Sequence, residues 1–111
     1  MEGMDDLQMT CFQIIAAVGT AKSDDVNSIS LAKEGKFDAA RELINEGDKA
    51  YAEGHDVHLK LLQQDAAGER EPVAPLILLH AEDQLISTEV CKLMAQQMIE
   101  AYERICALEA K

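Results

Sequence analysis

Three polar residues that could do chemistry stand close together in an otherwise apolar stretch, PLILLHAEDQLIS, at residues 75–87. His80, Asp83 and Gln84 bring an imidazole, a carboxylate and an amide within five positions. A neutral imidazole is a nucleophile near neutral pH, and a carboxylate binds hard cations. The alternative is structural, because polar residues at a helix start often only interact with exposed backbone N–H groups. Spacing and composition alone favour that structural interpretation.

The spacing of these residues suits a helix. His80, Gln84 and Ser87 follow an i, i+4, i+7 pattern, which places them along one line of the helix surface. Asp83 lies about 60° away and heads a second row, which is apolar. That row consists of Ile86, Val90, Met94 and Ala101. A carboxylate at the head of an apolar row must be paired, protonated, metal-bound or close to solvent at the helix end.

The chain that positions these residues is predicted to be one all-α domain over residues 1–111, an antiparallel three-helix bundle. Three segments have apolar residues at helical spacing: about 5–34, 37–65 and 75–108. Gly35 predicts the end of the first helix, and the segment AAGEREPVAP predicts a loop before the third. Gly19 and the polar run SDDVNS favour a kink or a short break within the first helix.

The third predicted helix has a wide apolar surface. Its acidic and amide residues share one side, the expected solvent side: Glu82, Glu89, Gln96, Glu100 and Glu103. The apolar arc spans roughly 220°, which exceeds the stripe that a helix needs to face one core. Two neighbouring helices of the same chain can cover part of this arc, and the surplus indicates burial against other subunits. Three copies around an axis would suffice, although the width alone does not fix their number.

Composition limits the partners and the location of the protein. The 111 residues carry a net charge of −11 at pH 7, which disfavours nucleic acid and anionic membrane surfaces and favours basic partners. The apolar runs are too short to insert into a bilayer, and the acidic N-terminus does not suit a secretory signal. Cys11, Cys91 and Cys106 are odd in number and lack close pairing. We therefore expect reduced thiols in a cytoplasmic protein.

Around His80 the sequence resembles the lactose/cellobiose-specific enzyme IIA family of the bacterial sugar phosphotransferase system. That family has the pattern His-Ala-Gln-Asp-His-Leu-Met after an apolar run. Four residues match it, namely His80, Ala81, Asp83 and Leu85, whereas Glu82, Gln84 and Ile86 replace the usual Gln, His and Met. Upstream, VGTAKS at 18–23 is similar to a family segment Ala-Gly-x-Ala-Arg-Ser, and KEGKF at 33–37 to Lys-x-Gly-x-Phe. The similarity extends from about Leu7 to Arg104.

The resemblance implies a phosphocarrier. His80 would accept a phosphoryl group from phospho-HPr and pass it to a cysteine of an enzyme IIB component. The sugar, of the lactose or cellobiose type, would enter through the membrane IIC component, which the chain reaches only through IIB. Gln84 stands where the family has a histidine, and its amide could donate a hydrogen bond to a phosphoryl oxygen.

The resemblance also implies an assembly and a metal. Asp83 matches a family aspartate near the three-fold axis of a homotrimer. One aspartate from each of three subunits meets there at a metal ion, taken as Mg²⁺. A divalent cation with oxygen ligands would neutralise three converging carboxylates that otherwise repel each other. Its role would be structural.

Two other classes of protein stay open on the sequence. A helical adaptor is suggested by residues 34–54, which faintly resemble a tetratricopeptide helix pair, although no second copy follows. A two-component histidine-phosphotransfer domain is also a helical bundle with one phosphorylated histidine. It usually has a lysine and a glycine where this chain has Asp83 and Gln84.

Two further histidines, His55 and His58, are spaced i, i+3 on the second predicted helix. They could share a metal such as zinc, or line the pocket around His80. Solvated or singly hydrogen-bonded histidines are more common than such ligand pairs, so the sequence favours neither role.

Overall fold

The computed structural model describes the backbone of residues 2–111 and the side chains of residues 6–111. Over that range it contains three α-helices and no strand: α1 (Glu2–Lys33), α2 (Phe37–Ala66) and α3 (Leu76–Glu109). The predicted all-α, three-helix fold is confirmed. α1 begins earlier than expected, while every other helix end lies within about one residue of the expected position. None of the described helices is both long enough and apolar enough to cross a membrane.

α1 is a single uninterrupted helix, so the expectation of a short break at Gly19 and residues 23–28 is wrong, whereas the alternative of a kink there stays a prediction. Two residues of the polar run, Asp25 and Ser28, are buried against the other helices, whereas Ser23, Val26 and Asn27 are exposed. The Ser28 hydroxyl donates a hydrogen bond to the Asp25 carbonyl oxygen at 2.6 Å, so it is satisfied within the helix. Tertiary burial therefore outweighs the weak helix propensity of this run.

Glycines in the left-handed region end α1 and α2. Gly35 has φ of +80°, and the N–H of Lys36 donates back to the Leu31 carbonyl oxygen at 3.0 Å. Gly68 ends α2 in the same way with φ of +71°. In this arrangement glycine avoids the steric cost that a side chain meets at positive φ. The stop predicted at Gly35 is confirmed, and the short connection over residues 34–36 makes α1 and α2 antiparallel.

Two glycines also set the distance between α1 and α2. A Cβ atom on Gly54 would lie 2.8 Å from Val18 Cγ1, closer than such atoms approach in real structures. A Cβ atom on Gly47 would lie 3.2 Å from Asp25 Oδ1. The two helices therefore pack closely because these positions on α2 carry no side chain.

The core consists of two apolar clusters with a polar layer between them. One cluster contains Leu7, Cys11, Ile14, Val18, Leu61, Ala81 and Leu85. The other contains Ala32, Ala40, Ile44, Ala95 and Ile99. Three buried polar residues lie between the clusters along the helices: Asp25, Ser28 and Thr88. The bundle is thus held by apolar burial at both ends, while its middle depends on how well polar groups are satisfied.

α3 packs mainly against α1, and long side chains bridge it to α2. Lys92 Nζ on α3 lies 2.8 Å from Asp48 Oδ1 on α2, and Arg41 on α2 contacts Glu103 on α3. The side of α3 that the sequence assigns to solvent therefore borders a groove along α2. These bridges hold the two helices together without close backbone packing.

A continuous apolar surface of α3 is left open. We define its outer face as the exposed residues Ile86, Val90, Leu93, Met94 and Ile105. Their exposed fractions range from 44% for Ile105 to 59% for Ile86. The wide apolar arc indicated by the sequence thus has no full cover among the described residues of one chain.

Candidate functional site

His80 lies in the second turn of α3, and its side chain is exposed to solvent. Pro75 precedes the helix, and its carbonyl oxygen accepts the N–H groups of Leu78 at 2.9 Å and of Leu79 at 3.3 Å. Among the described residues, His58 is the histidine whose side chain forms a hydrogen bond. The His80 imidazole forms no hydrogen bond or ion pair with the described residues. An exposed imidazole without an internal partner is available as a nucleophile.

The fold holds the backbone beneath His80 in place. Ala81, the next residue, is buried in the first apolar cluster together with Leu85, one turn later. Ile77 and Leu78, in the first turn, pack against the same cluster. The helix is therefore anchored on one side of its axis while His80 projects from the other side.

Gln84 and Ser87 follow His80 along α3, as the spacing predicts, and both are half-buried. Lys22 of α1 donates from Nζ to Ser87 Oγ at 2.9 Å, and the Ser87 hydroxyl donates to the Gln84 carbonyl oxygen at 3.2 Å. A cation from another helix thus lies on the same line as His80, about two turns further along. Sequence reasoning missed Lys22 as a site residue. Its signal was the similarity of VGTAKS to a family segment with arginine at that position.

Asp83 is exposed at the head of the outer face of α3. The residues one, two and three turns below it are apolar and more than half exposed, with 59% for Ile86, 53% for Val90 and 58% for Met94. The described residues of one chain contain no group of three or more His, Cys, Asp or Glu side chains placed to hold a metal ion. A metal at Asp83 would therefore require carboxylates from other copies of the chain.

The two remaining histidines have different surroundings. His58 is buried, and its Nε2 lies 2.5 Å from Glu82 Oε1 on α3. His55 is exposed, and its ring lies beside Tyr51 with 6.0 Å between centroids. The helical pattern had assigned Glu82 to the solvent side. Its contact with His58 shows that Glu82 does not face solvent alone. Since Glu82 lies about 200° around the helix from His80, His58 contacts a different side of α3 from the side that presents His80.

Two of the three cysteines are poor candidates for a reactive site. Cys11, Cys91 and Cys106 are all free thiols, and Cys11 is fully buried. Burial raises the pKa of the Cys11 and Cys91 thiols above the usual range. Since the thiolate is the reactive form, these two side chains are poor nucleophiles near neutral pH.

Comparison with known proteins identifies the class. The sequence profile of the family described as "PTS system, Lactose/Cellobiose specific IIA subunit" matches residues 9–103. The chain belongs to this family of the sugar phosphotransferase system. It is a phosphocarrier, a phosphotransferase component that acts in sugar transport. Neither the tetratricopeptide nor the two-component phosphotransfer alternative is supported.

Individual relatives agree with this assignment. The chain is 31% identical over 100 residues to the lactose-specific EIIA component of Staphylococcus epidermidis, covering 90% of this chain and 95% of that protein. It is 35% identical over 92 residues to the oligo-beta-mannoside-specific EIIA component of Bacillus subtilis, covering 83% of each. The crystal structure of the cellobiose-specific enzyme IIA from Bacillus anthracis superposes with a TM-score of 0.85 at 30% identity, covering 89% of this chain and 90% of that one.

Proposed function

We propose that His80 is the residue that carries the phosphoryl group. Two observations support this choice. The segment HAED resembles the family's histidine motif, and the His80 imidazole is exposed and has no partner among the described residues. In the first step, the P–N bond of a donor phosphohistidine on HPr breaks while a P–N bond to His80 forms. In the second step, that bond breaks while a P–S bond to a cysteine thiolate of IIB forms.

The surroundings of His80 can stabilise the transferred group. Phosphoryl transfer asks the protein mainly for position and for stabilisation of charge on the phosphoryl oxygens. Gln84, one turn along α3, offers an amide N–H, and the nearby helix start offers a partial positive charge. Lys22 offers a full positive charge on the same line. Where the family has a histidine this chain has an uncharged glutamine, so we propose that Lys22 of α1, bonded to Ser87, supplies positive charge beside this line of α3.

We further propose that HPr and IIB dock around His80. Leu79 and Leu76 are large, apolar and exposed beside it, with exposed fractions of 54% and 82%. The net charge of −11 supports a basic partner surface. The IIC membrane component is reached only through IIB, and the sugar is of the lactose or cellobiose type. Relatives at similar identity are named for lactose, oligo-beta-mannosides and lichenan, so we assign the choice of sugar to the partners.

The outer face of α3 supports a homotrimer. In this arrangement three copies of α3 meet along Ile86, Val90 and Met94, and Asp83 from each copy approaches the axis. Three carboxylates that converge would repel each other, and a hard divalent cation such as Mg²⁺ would neutralise them. Asp83→Leu should then retain the trimer in the presence of a chelator, whereas the chelator should weaken the wild-type trimer. Sedimentation of both proteins, with and without chelator, measures this difference.

Incubation with phospho-HPr followed by intact-protein mass spectrometry tests the role of His80. Wild type should gain one phosphoryl group, and His80→Gln should gain none while it keeps its helicity, because His80 is exposed. His55→Gln is the matched control, since it removes an exposed histidine from α2 and should leave labelling unchanged. Labelling of His80→Gln at the wild-type level would show that another residue is the acceptor.

A further inference from the structure

Asp25, in the polar layer of the core, carries a buried carboxylate without a partner. The residue is 2% exposed, and Oδ1 has no hydrogen-bond partner among the described residues. Neither carboxylate oxygen takes part in an ion pair of the described side chains, although Lys92 is nearby and bonds to Asp48 instead. A buried polar group without a partner lowers the stability of the fold, and a buried charge lowers it more.

Asp25 also lines a small cavity between the helices. The cavity has a volume of about 210 Å³ and opens between α2 and α3. Besides Asp25, its oxygen-bearing lining residues are Tyr51, Thr88, Glu89 and Gln96. The Thr88 hydroxyl donates its proton to the Gln84 carbonyl oxygen at 2.7 Å, so its lone pairs remain able to accept.

The charges around the cavity are predominantly negative. Asp24 on α1, Asp48 on α2 and Glu89 on α3 surround Asp25. Lys92 on α3 also lines the cavity, and its ammonium group is paired with Asp48, whose Oδ1 lies 2.8 Å away. The pKa of Asp25 is raised to about 6, mainly by burial and then by the negative charge of Asp48. The positive charge of Lys92 lowers this pKa, and the negative charge of Asp24 raises it further. The site therefore has a deficit of positive charge when Asp25 is ionised.

We propose that this cavity binds a monovalent cation, potassium, sodium or ammonium, on the Asp25 carboxylate. One positive charge neutralises one buried carboxylate, and the hydroxyl and carbonyl oxygens of the lining supply further ligands. The described residues hold no group of three or more His, Cys, Asp or Glu side chains placed to hold a metal ion, so the proposal is confined to a monovalent cation. The site lies in the core between α1, α2 and α3, and it is independent of the role of His80.

The first experiment measures the unfolding equilibrium at pH 8 in choline, sodium, potassium and ammonium chloride at one ionic strength. A cation that binds the folded state with Kd on the order of 10 mM lowers the unfolding constant about tenfold at 100 mM. Wild type should show this effect with at least one small cation relative to choline, and Asp25→Asn should show none. Asp24→Asn, which removes a neighbouring acid outside the cavity lining, should keep it. An equal response of wild type in every salt would overturn the proposal, as would an equal response of Asp25→Asn.

The second experiment needs only the wild-type protein. The ¹³C shift of the Asp25 carboxyl, titrated in choline and in the preferred cation, reports its apparent pKa directly. A bound cation competes with the proton, so a tenfold effect on the folded state lowers that pKa by about one unit. Thallium-soaked crystals should show anomalous density beside Asp25. A pKa that is the same in both salts would show that a proton alone occupies the site.

Discussion

The inner and outer faces of α3 are both apolar, yet only one of them has a role within the chain. The inner face buries Ala81, Leu85, Thr88, Ala95 and Ile99 against the other helices. The outer face exposes residues that are at least as large, such as Ile86 and Met94. The inner and outer faces of α3 therefore do not differ clearly in hydrophobicity. The inner face is accounted for by the fold, whereas the outer face has no full cover among the described residues of one chain, and we propose that other subunits and partners cover it.

This difference predicts that stability and function are separated along a single helix. Substitutions on the inner face should change the free energy of unfolding of each chain. Substitutions on the outer face should change association and phosphoryl transfer while each chain stays folded. The following predictions, from the largest expected effect to the smallest, test that separation.

A charge on the outer face should have the largest effect. Val90→Glu would place three carboxylates at the proposed trimer axis, without partners and away from solvent. An unpaired buried charge costs about 3–5 kcal/mol, so association should weaken by at least three orders of magnitude. Helicity should persist, because Val90 is 53% exposed in the single chain. Sedimentation and circular dichroism measure the two outcomes.

Ala52→Glu is the control for that substitution, since it adds the same charge at an exposed position of α2. It should leave the oligomeric state unchanged. A trimer that survives Val90→Glu at micromolar concentration would place the subunit interface elsewhere on the molecule.

The same substitution on the two faces should have different consequences. Ile99→Ala removes a side chain that is 2% exposed and leaves a cavity, so we expect a loss of about 3 kcal/mol in the free energy of unfolding. Ile86→Ala removes a side chain that is 59% exposed, so the stability of the separate chain should change by less than about 1 kcal/mol. Urea denaturation below the association range measures both. Equal losses would mean that the two faces are not energetically distinct.

The buried acid beside the inner face should make stability depend on pH. The pKa of Asp25 is about 6 in the folded chain, above its usual value of 3.8, so folding favours the protonated form. Its contribution is therefore most favourable below about pH 4 and is lost as the pH rises to about 6. In choline chloride, the stability of wild type relative to Asp25→Asn should fall by about 2 kcal/mol over that range. Denaturation series from pH 4 to 7 test this, and a constant difference would contradict it.

The contact between His58 and Glu82 should have the smallest effect. These side chains, 11% and 39% exposed, are paired between α2 and α3. Because Glu82 is partly solvated, a double-mutant cycle with His58→Gln and Glu82→Gln should give a coupling energy of about 1 kcal/mol. His80 labelling should be unaffected in all three variants. A loss of labelling would connect this contact to the site, contrary to its position on another side of α3.

Much of the fold could be predicted because local signals agree with the tertiary structure. Helical spacing, Gly35 and the loop before Pro75 each mark a helix or its end without help from distant residues. The uninterrupted α1 could not be predicted, because the burial that overrides its polar run depends on the other helices. The outer face was visible as surplus apolar width, but what covers it could not be predicted, because the proposed cover lies on other molecules.

The candidate site was only partly predictable. His80, Asp83 and Gln84 could be selected from the motif and its helical spacing. The contacts of Lys22 with Ser87 and of His58 with Glu82 could not, since each joins residues from different helices. Asp25 looked like part of an ordinary polar run, because no local pattern distinguishes a solvated aspartate from one enclosed by α2 and α3.

The unequal lengths of the two connections have a consequence for the rate of folding. α1 and α2 are joined by residues 34–36, while α3 follows a connection over residues 67–75. Since a shorter loop costs less entropy to close, we expect the α1/α2 hairpin to form early and α3 to dock afterwards. Substitutions at the contact of Val18 with Gly54 should then have higher kinetic φ-values, measured from folding rates, than substitutions of Ile99. The segment that presents His80 would become fixed only in the last step of folding.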